Sequence, residues 1–472
     1  MPSGMIRQTT SASTGVGGHS VRLSARLRQR RHGRAARLVV PLLVVVVTGL
    51  LAVSPTAGAA VQNVAGIGTF NGVGCPRVSQ CVAVGIIFAS ASSGAMGAAV
   101  PISAASAAVP SGQAVQTIPG TELLSAVSCS SDRRCLAVGE NIDASKGVAV
   151  PLDPKTGDVV AGQGVQSIPG IFMAAVACPS TTRCLGVGHA PDGQGVVVSL
   201  DPATGGVAKG ESVRTIPETG GVGLDAVACS TPTRCLAVGE NAHASAGVAV
   251  PLDPETGALS KGEIGQTVTT KGVLVGLSCP SAAACLAVGW GADQPSVAVP
   301  LDPATGMVPS GQRDQTISSR SAKLSAVACP SVSRCLAVGN DNGDPSNGQV
   351  VPLSPVTGAI SSGQTIQGLA GTGALNGVAC SLPTRCVAAG SGLEASGGVS
   401  LVLNPITGSP AAPLAAKPPL TLNASAAPTT RPKTMAINLL WLLVPAGVLG
   451  AGGAAFVGVT SRRRRKRTAA TD

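Results

Sequence analysis

The chain has 472 residues, of which only 1% are aromatic and 12% are charged, and its formal net charge is +11. This charge is uneven: residues 1–60 hold eight Arg and no acid, residues 409–472 hold nine Lys or Arg against one Asp, and residues 61–408 hold sixteen Lys or Arg against twenty-one Asp or Glu. Because the basic surplus lies at the two ends, the overall charge gives no argument for nucleic-acid binding.

Residues 1–60 are predicted to be a signal peptide for secretion. An Arg-rich stretch precedes an apolar run at residues 38–53, and Ala57-Gly58-Ala59 then supplies the small residues that a signal peptidase needs. Cleavage there would start the mature chain at about Val61. The alternative is an uncleaved signal that anchors the chain in the membrane.

Seven pairs of cysteines with the spacing C-x5-C divide residues 61–408 into tandem repeats. The first cysteines of successive pairs lie 54, 49, 51, 50, 50 and 51 residues apart, and the pairs use all 14 cysteines of the chain. The pairs are Cys75/Cys81, Cys129/Cys135, Cys178/Cys184, Cys229/Cys235, Cys279/Cys285, Cys329/Cys335 and Cys380/Cys386.

Each repeat contains four short runs rich in Val, Leu and Ala. In the fourth repeat they are residues 224–229, 235–239, 247–252 and a segment ending near Val268. Runs of this length, bounded by Gly, Pro, Asp, Ser and Thr, are typical of strands. The recurring Asp-Pro-x-Thr-Gly is a turn, in which Asp accepts local backbone hydrogen bonds and Gly takes a positive φ. Four strands in about 50 residues match the blade of a β-propeller.

The phase of the repeats favours a closed ring. Residues 61–66 align with the fourth strand of a repeat, and residues 398–403 align with a third strand. The N-terminal strand is therefore expected to complete the last blade and to leave no open sheet edge. A linear β-solenoid, the alternative, gives no reason for this offset. We expect an all-β fold, a seven-bladed β-propeller of ~50-residue four-stranded repeats, with an N-terminal signal segment and one C-terminal transmembrane helix.

We expect each C-x5-C pair to form a disulfide in the hairpin between the first and second strands. A five-residue hairpin loop can bring the two cysteines opposite each other, at a separation that a disulfide bridges, and secretion supplies an oxidising compartment. The alternative is metal binding. Thiolate metal sites usually use C-x2-C with further Cys or His, whereas the repeats contain only His189 and His243.

The motif A-V-x-C-x-S-x-x-x-C-x-A-V-G occurs at residues 126–139 and 326–339. It resembles the secreted, Cys-paired seven-bladed β-propeller repeat proteins of actinobacteria and, more distantly, YVTN- and Asp-box-type propellers. The resemblance covers residues 61–408 and implies a fold but no function, because propellers serve as enzymes, receptors and scaffolds. The Asp-box pattern S-x-D-x-G-x-T-W is absent, so no glycosidase activity is implied.

One face of the predicted propeller is nearly uniform between repeats. It carries the cysteine hairpins and the Asp-Pro-x-Thr-Gly turns, which indicates a structural role. An Arg precedes the second Cys in five repeats, and an Asp stands in the neighbouring turn of three of them. These residues are Arg134, Arg183, Arg234, Arg334 and Arg385, with Asp153, Asp201 and Asp253. They indicate either surface ion pairs or a basic ring for an anionic polymer.

The opposite face carries the loops between second and third strands, which vary between repeats, so we predict the ligand site there. Asp341 and Asp344 resemble part of a calcium loop, although the Glu that closes an EF-hand site is missing; no other cofactor is expected. Ordinary solvated loops are the alternative. The candidate residues are Glu140, Asp143, His189, Asp192, Glu240, His243, Trp290, Asp293, Asp341, Asp344 and Glu394.

The C-terminal part of the chain is predicted to anchor it. Residues 409–434 form a stalk rich in Pro, Ala and Thr, residues 435–460 a transmembrane helix, and residues 461–472 a basic cytoplasmic tail. By the positive-inside rule the propeller then lies outside the cell membrane, on a single-pass protein. Pro432-Lys433-Thr434 faintly resembles a sortase signal, L-P-x-T-G, which leaves covalent attachment to the wall as the alternative.

The sequence contains no evident nucleophile–base pair, phosphate loop or metal triad. We therefore predict a non-enzymatic binding module that engages a protein or cell-wall partner, and no nucleic acid, through the variable acidic face. The alternative is an extracellular lyase or hydrolase with its site at the mouth of the propeller channel. Carboxylates clustered at the inner ends of the loops would favour that enzyme. A third possibility is a structural role in a membrane complex, mediated by the transmembrane helix.

Overall fold

The computed structural model describes the repeat region and a few residues that follow it. The predicted signal peptide, transmembrane helix and basic tail lie outside the described residues, as does the stalk beyond residue 414. In the described part, no helix is long and apolar enough to cross a membrane. The described residues are 61–88, 94–141, 146–216, 223–241, 246–291, 295–318, 322–341, 343, 346–393 and 397–414.

These residues form 28 strands in seven four-stranded antiparallel sheets, or blades. The first three blades contain β2 (Thr69–Arg77), β3 (Gln80–Phe88), β4 (Ala95–Ser103) and β5 (Gln116–Thr117); β6 (Leu123–Ser131), β7 (Arg134–Glu140), β8 (Lys146–Leu152) and β9 (Gln166–Pro169); and β10 (Phe172–Ala177), β11 (Cys184–His189), β12 (Gly195–Leu200) and β13 (Arg214–Ile216). The next three contain β14 (Leu224–Thr231), β15 (Arg234–Asn241), β16 (Ala246–Leu252) and β17 (Gln266–Thr269); β18 (Val273–Ser281), β19 (Ala284–Trp290), β20 (Ser296–Leu301) and β21 (Gln315–Ser318); and β22 (Lys323–Ser331), β23 (Arg334–Asn340), β24 (Gly348–Leu353) and β25 (Gln367–Leu369). The seventh contains β26 (Thr372–Leu382), β27 (Arg385–Gly392), β28 (Gly398–Leu403) and the N-terminal β1 (Gln62–Val64).

The seven-bladed propeller predicted from the repeats is confirmed. In the last blade the strand order is β1-β28-β27-β26, so the N-terminal strand supplies its outermost strand. Gln62 pairs with Ser400 and Val64 with Gly398. This pairing joins the two ends of the repeat region and closes the ring.

The core consists of seven hydrophobic clusters that lie between successive blades. They are built mainly from Val, Leu and Ala, as the composition requires. Between the first and second blades, for example, Val84, Leu124, Val148 and Leu152 are fully buried. Phe70, the largest fully buried side chain of the described residues, lies between the seventh and first blades. Apolar burial therefore holds each blade to its neighbours.

A β-bulge in the innermost strand of every blade was not expected from the sequence. In the fourth blade, Leu224 pairs with Gly239 and Ala226 with Val238, which leaves Asp225 as the extra residue. The glycine that all seven repeats have at this point makes room for the bulge, since a Cβ on Gly239 would overlap the carbonyl oxygen of Gly223. The seven bulge residues are Asn71, Ser125, Ala174, Asp225, Val275, Ser325 and Asn376.

All seven predicted disulfides are present, and the described residues contain no free cysteine. Each bridge joins the end of the first strand to the second strand of the same blade; in the third blade the first cysteine, Cys178, directly follows the strand. Cys229 and Cys235, for example, are directly opposite in the ladder, with their Cα atoms 3.8 Å apart. The bridges are Cys75–Cys81, Cys129–Cys135, Cys178–Cys184, Cys229–Cys235, Cys279–Cys285, Cys329–Cys335 and Cys380–Cys386.

The second cysteine of each pair lies at the start of the second strand, as predicted, and is also part of the core. The first cysteine of each pair is partly exposed, but the second lies inside the second strand, is fully buried and packs in one of the clusters between blades. The reason is the strand alternation, which turns this small apolar side chain towards the neighbouring blade. These cysteines are therefore core residues that no ligand on the surface can reach. They are Cys81, Cys135, Cys184, Cys235, Cys285, Cys335 and Cys386, each 0% exposed.

The Asp-Pro-x-Thr-Gly turns form as predicted and also connect the blades. In the second blade the Asp153 carboxylate accepts a hydrogen bond from the Lys155 N–H (2.8 Å), and Gly157 has φ +79°. The turn packs on the third strand of the preceding blade, where a Cβ on Gly157 would lie 3.2 Å from Cδ of Pro101. The turn motif is therefore an inter-blade contact as well as a chain reversal.

Candidate functional site

The propeller has two chemically different faces. We call the one with the disulfide hairpins and the Asp-Pro-x-Thr-Gly turns the disulfide face. We call the opposite one, with the loops from second to third and from fourth to first strands, the variable face. The axial channel runs between them along the seven innermost strands and encloses about 180 Å³.

Several polar side chains on the disulfide face make contacts within the propeller. Arg183 forms an ion pair of 2.9 Å with Glu255 in the turn of the next blade. Arg385 donates hydrogen bonds to the carbonyl oxygens of Ala105 (2.9 Å) and Ala412 (3.1 Å). The turn carboxylates bind their own backbone, as in Asp201, which accepts from the N–H of Ala203. These contacts support the structural interpretation of this face.

On the variable face, four of the predicted residues occupy one equivalent position. Each follows the shared glycine at the end of a second strand, beside the mouth of the channel. We call this set the mouth ring: Ile86, Glu140, His189, Glu240, Trp290, Asn340 and Ser391. Glu140, His189, Glu240 and Trp290 are therefore grouped by the fold although about 50 residues separate successive members in the chain.

Members of the mouth ring contact residues of their own blade and of the next one. Within the third blade, His189 stacks on Phe172, with ring centroids 5.0 Å apart. A Cβ on Gly223 of the next blade would lie 3.1 Å from Cβ of His189. The ammonium group of Lys323, on the sixth blade, lies 4.1 Å from the centroid of the Trp290 ring, a cation–π contact. The ring members are thus partly fixed by their neighbours.

Glu140 is the acidic member of the ring on the second blade. Burial raises the pKa of its carboxyl above the ordinary value, the charge of His189 opposes this increase, and that of Glu122 adds to it. The backbone N–H of Glu122 also donates to the carbonyl oxygen of Glu140 (2.9 Å). Glu122, Glu140 and His189 therefore form an interacting group at the channel mouth.

Asp225 lies where the channel opens towards the mouth ring. It is the acidic residue among the seven bulge positions and lines the channel wall. Burial, together with the charge of Glu240, raises the pKa of Asp225 to about 7. The equivalent Asn71 and Asn376 instead donate hydrogen bonds to carbonyl oxygens of the next blade, Leu124 (3.0 Å) and Phe70 (2.9 Å).

A side cavity of about 280 Å³ adjoins the channel between the fourth and fifth blades. Its lining includes the carboxyls of Asp225 and Glu240, the indole of Trp290 and the aliphatic Val273 and Val275. Two acids next to an aromatic ring can receive a cation or exchange a proton with a bound molecule. This cavity and the mouth ring together are the candidate site.

Two further predicted residues that the structure describes, Asp192 and Asp341, do not join this site. Asp192 lies in the hairpin turn of the third blade, where it accepts a hydrogen bond from the N–H of Gln194 (3.1 Å). Asp341 orders its own loop by accepting from the N–H groups of Gly343 (3.0 Å) and Asn347 (2.8 Å). The other five predicted residues lie outside the described part of the chain: Asp143, His243, Asp293, Asp344 and Glu394.

The predicted calcium site near Asp341 and Asp344 stays a prediction, because Asp344 is outside the described residues. Within the described ranges, no three Cys, His, Asp or Glu side chains come together as metal ligands would. Asp225 was not predicted from the sequence, because its place in Leu-Asp-Ala-Val looks like an ordinary strand position. Comparison of the seven bulge positions would have singled it out as the acidic one.

No protein-family model matches the chain, and no curated protein matches it. Among solved structures, it is similar to hydrazine synthase of Kuenenia stuttgartiensis (10% identity, TM-score 0.49, covering 72% of this chain and 96% of that one). It is also similar to Sqt1 of Chaetomium thermophilum (12%, TM-score 0.46, 75% and 88%) and to YCF48 bound to D1 peptide (10%, TM-score 0.43, 72% and 95%). Similarity of this degree gives no information about ligand or activity.

Proposed function

We propose that the protein is a non-enzymatic binding module, anchored in the cell membrane with its propeller outside. In this proposal it binds a protein or a cell-wall polymer through the variable face. The main support for this proposal is that Glu140, His189, Glu240 and Trp290 lie together around the channel mouth. On the disulfide face, by contrast, side chains such as Arg183 and Arg385 make contacts between blades. A rigid scaffold that presents varied side chains at one end is the usual arrangement of a binding propeller.

The location is supported by features of the sequence and by the disulfides. A disulfide in every blade fits an oxidising compartment outside the cytoplasm. The apolar segment at residues 437–459 and the basic cluster after it fit a single membrane span with an external propeller. The resemblance to secreted Cys-paired propellers of actinobacteria points to the same side of the membrane.

A capture experiment with matched variants tests this proposal. The tagged full chain is incubated with solubilised membrane and cell-wall fractions of its source, and retained components are identified by mass spectrometry. A triple variant of the variable face should lose the partner, and a triple variant of the disulfide face should retain it. The first is Glu140→Ala, Glu240→Ala and Trp290→Ala; the second is Lys155→Ala, Asp158→Ala and Lys261→Ala, all three exposed. Equal retention by both variants contradicts the proposal.

Asp225 favours a second candidate function, an extracellular hydrolase or lyase with its site at the channel mouth. A carboxyl with a pKa of about 7 beside a second carboxyl, that of Glu240, is suited to giving and taking a proton near neutral pH. The clustering of these two acids at the inner side of the variable face is the arrangement expected of an enzyme.

The two candidates are separated by turnover. The full chain is incubated with isolated cell-wall polymer, and soluble fragments are measured over time. The enzyme hypothesis predicts release that Asp225→Asn abolishes while binding persists. The binding hypothesis predicts no release by either form and unchanged composition of the polymer.

A further inference from the structure

Gln349 is a buried polar residue at a position where the other six blades have an apolar one. It stands near the start of the third strand of the sixth blade, in a buried position that faces the fifth blade, and only 3% of its surface is exposed. A polar side chain there replaces a small or aliphatic one, which is a common sign of a functional position. The equivalent residues of the other blades are Ala98, Val148, Val196, Val248, Val297 and Val399, and all are buried.

The Gln349 side chain has an unused hydrogen-bond donor. Its Nε2 atom is buried and has no hydrogen-bond partner among the described residues. A buried donor without an acceptor is destabilising, because it loses its hydrogen bonds to water and gains none within the protein. The other six blades pack well with an apolar residue at this position, so folding does not require an amide there. The most direct explanation of the Gln349 amide is that a bound ligand supplies its hydrogen-bond acceptor.

A cavity of about 510 Å³ lies beside Gln349. Gln349 pairs across the ladder with Gly368, and both line the cavity. In five other blades the residue at the position of Gly368 has a hydroxyl side chain that would narrow the space. These residues are Thr117, Ser167, Thr215, Thr267 and Thr316. The sixth blade therefore differs at two paired positions, one adding a donor and the other adding room.

The rest of the lining defines the chemistry of a ligand. Ile317, Ala322 and Ile366 supply aliphatic surface. Asp341 adds a carboxylate: burial alone would raise its pKa, but hydrogen bonds from the backbone N–H groups of Gly343 and Asn347 lower it, so the group stays ionised at neutral pH. The cavity thus offers a buried donor, an apolar wall and an acceptor.

We propose that this cavity binds the acetamido group of an N-acetylated amino sugar in an extracellular glycan. The Gln349 amide turns towards the cavity, and the acetamido carbonyl oxygen accepts from its Nε2. The acetamido methyl group packs on Ile317 and Ala322, and the acetamido N–H donates to the Asp341 carboxylate. The sugar hydroxyls remain at the opening, in contact with water. This inference rests on the proposed extracellular binding function and names the class of ligand.

A peptide segment fits the same lining less well. An acetamido group brings one acceptor and one donor into the cavity, which is what Gln349 and Asp341 provide. A peptide that fills this volume brings a carbonyl and an N–H for every residue, more than the polar side chains of the lining can satisfy. Recognition of this kind also needs no aromatic stacking platform.

The test is a titration of the full chain, purified in detergent, with a trimer of N-acetylglucosamine. The matched probe without acetamido groups is a glucose trimer, and the peptide-like probe is trialanine, which has peptide bonds but no acetyl group. We expect saturable binding of the first probe, monitored by calorimetry, and at least tenfold weaker binding of the other two. Equal binding of the glucose trimer, or no binding of the N-acetylated trimer, overturns the proposal, and tighter binding of the peptide-like probe assigns the cavity to a peptide instead.

Two variants restore the pattern of the other blades and keep the test independent of folding. Gln349→Val removes the donor, and Gly368→Thr narrows the cavity; a Cβ at residue 368 meets no atom within 4 Å. Each should weaken binding of the N-acetylated trimer at least tenfold without lowering the thermal midpoint. The control Gln163→Val, at an exposed site in another blade, should leave binding unchanged. Unchanged binding by Gln349→Val, or a large loss of stability, overturns the proposal.

These results separate the cavity from the candidate site. If the sugar probes fail while the capture experiment still shows a partner lost by the Glu140, Glu240 and Trp290 variant, the inference about Gln349 is wrong and the proposed function stands. If the sugar probe binds as expected and both capture variants retain their partner, the channel mouth is not the binding site.

Discussion

Asp225 and Glu240 lie on neighbouring strands of the fourth blade, and the charge of Glu240 acts with burial to raise the pKa of Asp225 to about 7. The other bulge positions carry Asn, Ser, Ala or Val, so the channel has this ionisable group on one side only. The bulge carries the Asp225 side chain out of the strand alternation and onto the channel wall. A local irregularity of the backbone thus creates the most perturbed acid in the described part of the chain.

The Asp225→Asn variant should remove a pH dependence of stability. The folded chain keeps the Asp225 proton up to its pKa of about 7, whereas the unfolded chain releases it at about pH 4. The free energy of unfolding therefore falls as the pH rises through this window. The thermal midpoint of Asp225→Asn should match that of the unchanged chain at pH 4 and exceed it increasingly up to pH 8. A gap of constant size, or the same trend in the exposed control Asp158→Asn, contradicts the assignment.

A Gly276→Val substitution should loosen the channel wall. A Cβ at residue 276 lies 3.0 Å from Cα of Ala326 in the next blade and 2.9 Å from Cγ2 of Val288. Overpacking of this kind lowers the free energy of unfolding by about 1–3 kcal/mol, to be measured by urea unfolding. The adjacent Val275→Ala, at the bulge position that faces the channel, should cost clearly less. If both variants lose the same free energy of unfolding, the close approach of the two strands at Gly276 is not important for stability.

Removal of one disulfide should weaken the propeller without unfolding it. Replacing Cys229 and Cys235 together by Ala releases a hairpin loop, and the chain-entropy model gives a loss of about 2 kcal/mol for a loop this short. Urea unfolding under non-reducing conditions measures this loss, and a thiol assay of the unchanged, denatured chain should find no free thiol. Free thiols in that sample, or unaltered stability of the double variant, would show that the bridge is absent in solution.

The turn of the first blade offers a stabilising substitution. Its sequence, Ser-Ala-Ala-Ser-Ala107, replaces Asp-Pro-x-Thr-Gly, and Ala107 has φ +58°, the one positive value at a non-glycine residue in the described ranges. Ala107→Gly should raise the free energy of unfolding by about 0.5–1 kcal/mol, because the strain of a left-handed Ala exceeds the added entropy of the unfolded Gly. The reverse change in the second blade, Gly157→Ala, should lower it. A decrease caused by Ala107→Gly would contradict this assignment of strain.

The repeats predict the fold well because each element has a local cause. The C-x5-C hairpins, the Asp-Pro-x-Thr-Gly turns and the offset of the N-terminal strand each depend on neighbouring residues, and together they define seven closed blades. The bulge has no such local signal: strict alternation in Leu224-Asp-Ala-Val would not place Asp225 in the channel. Gln349 could not be singled out from its own repeat either, for a different reason. It differs from the Ala or Val of the other third strands only when all blades are aligned, and the cavity beside Gly368 is visible only in the structure.

Site-specific photocrosslinking in the source cells tests the central claim, that partners bind the variable face. A benzophenone amino acid is placed at Trp290 in the mouth ring or, as the matched position, at Val332, which is 60% exposed in a hairpin of the disulfide face. We predict a light-dependent adduct with the partner from position 290 and none from position 332. An adduct from position 332 alone would place the binding surface on the opposite face and contradict the proposed function.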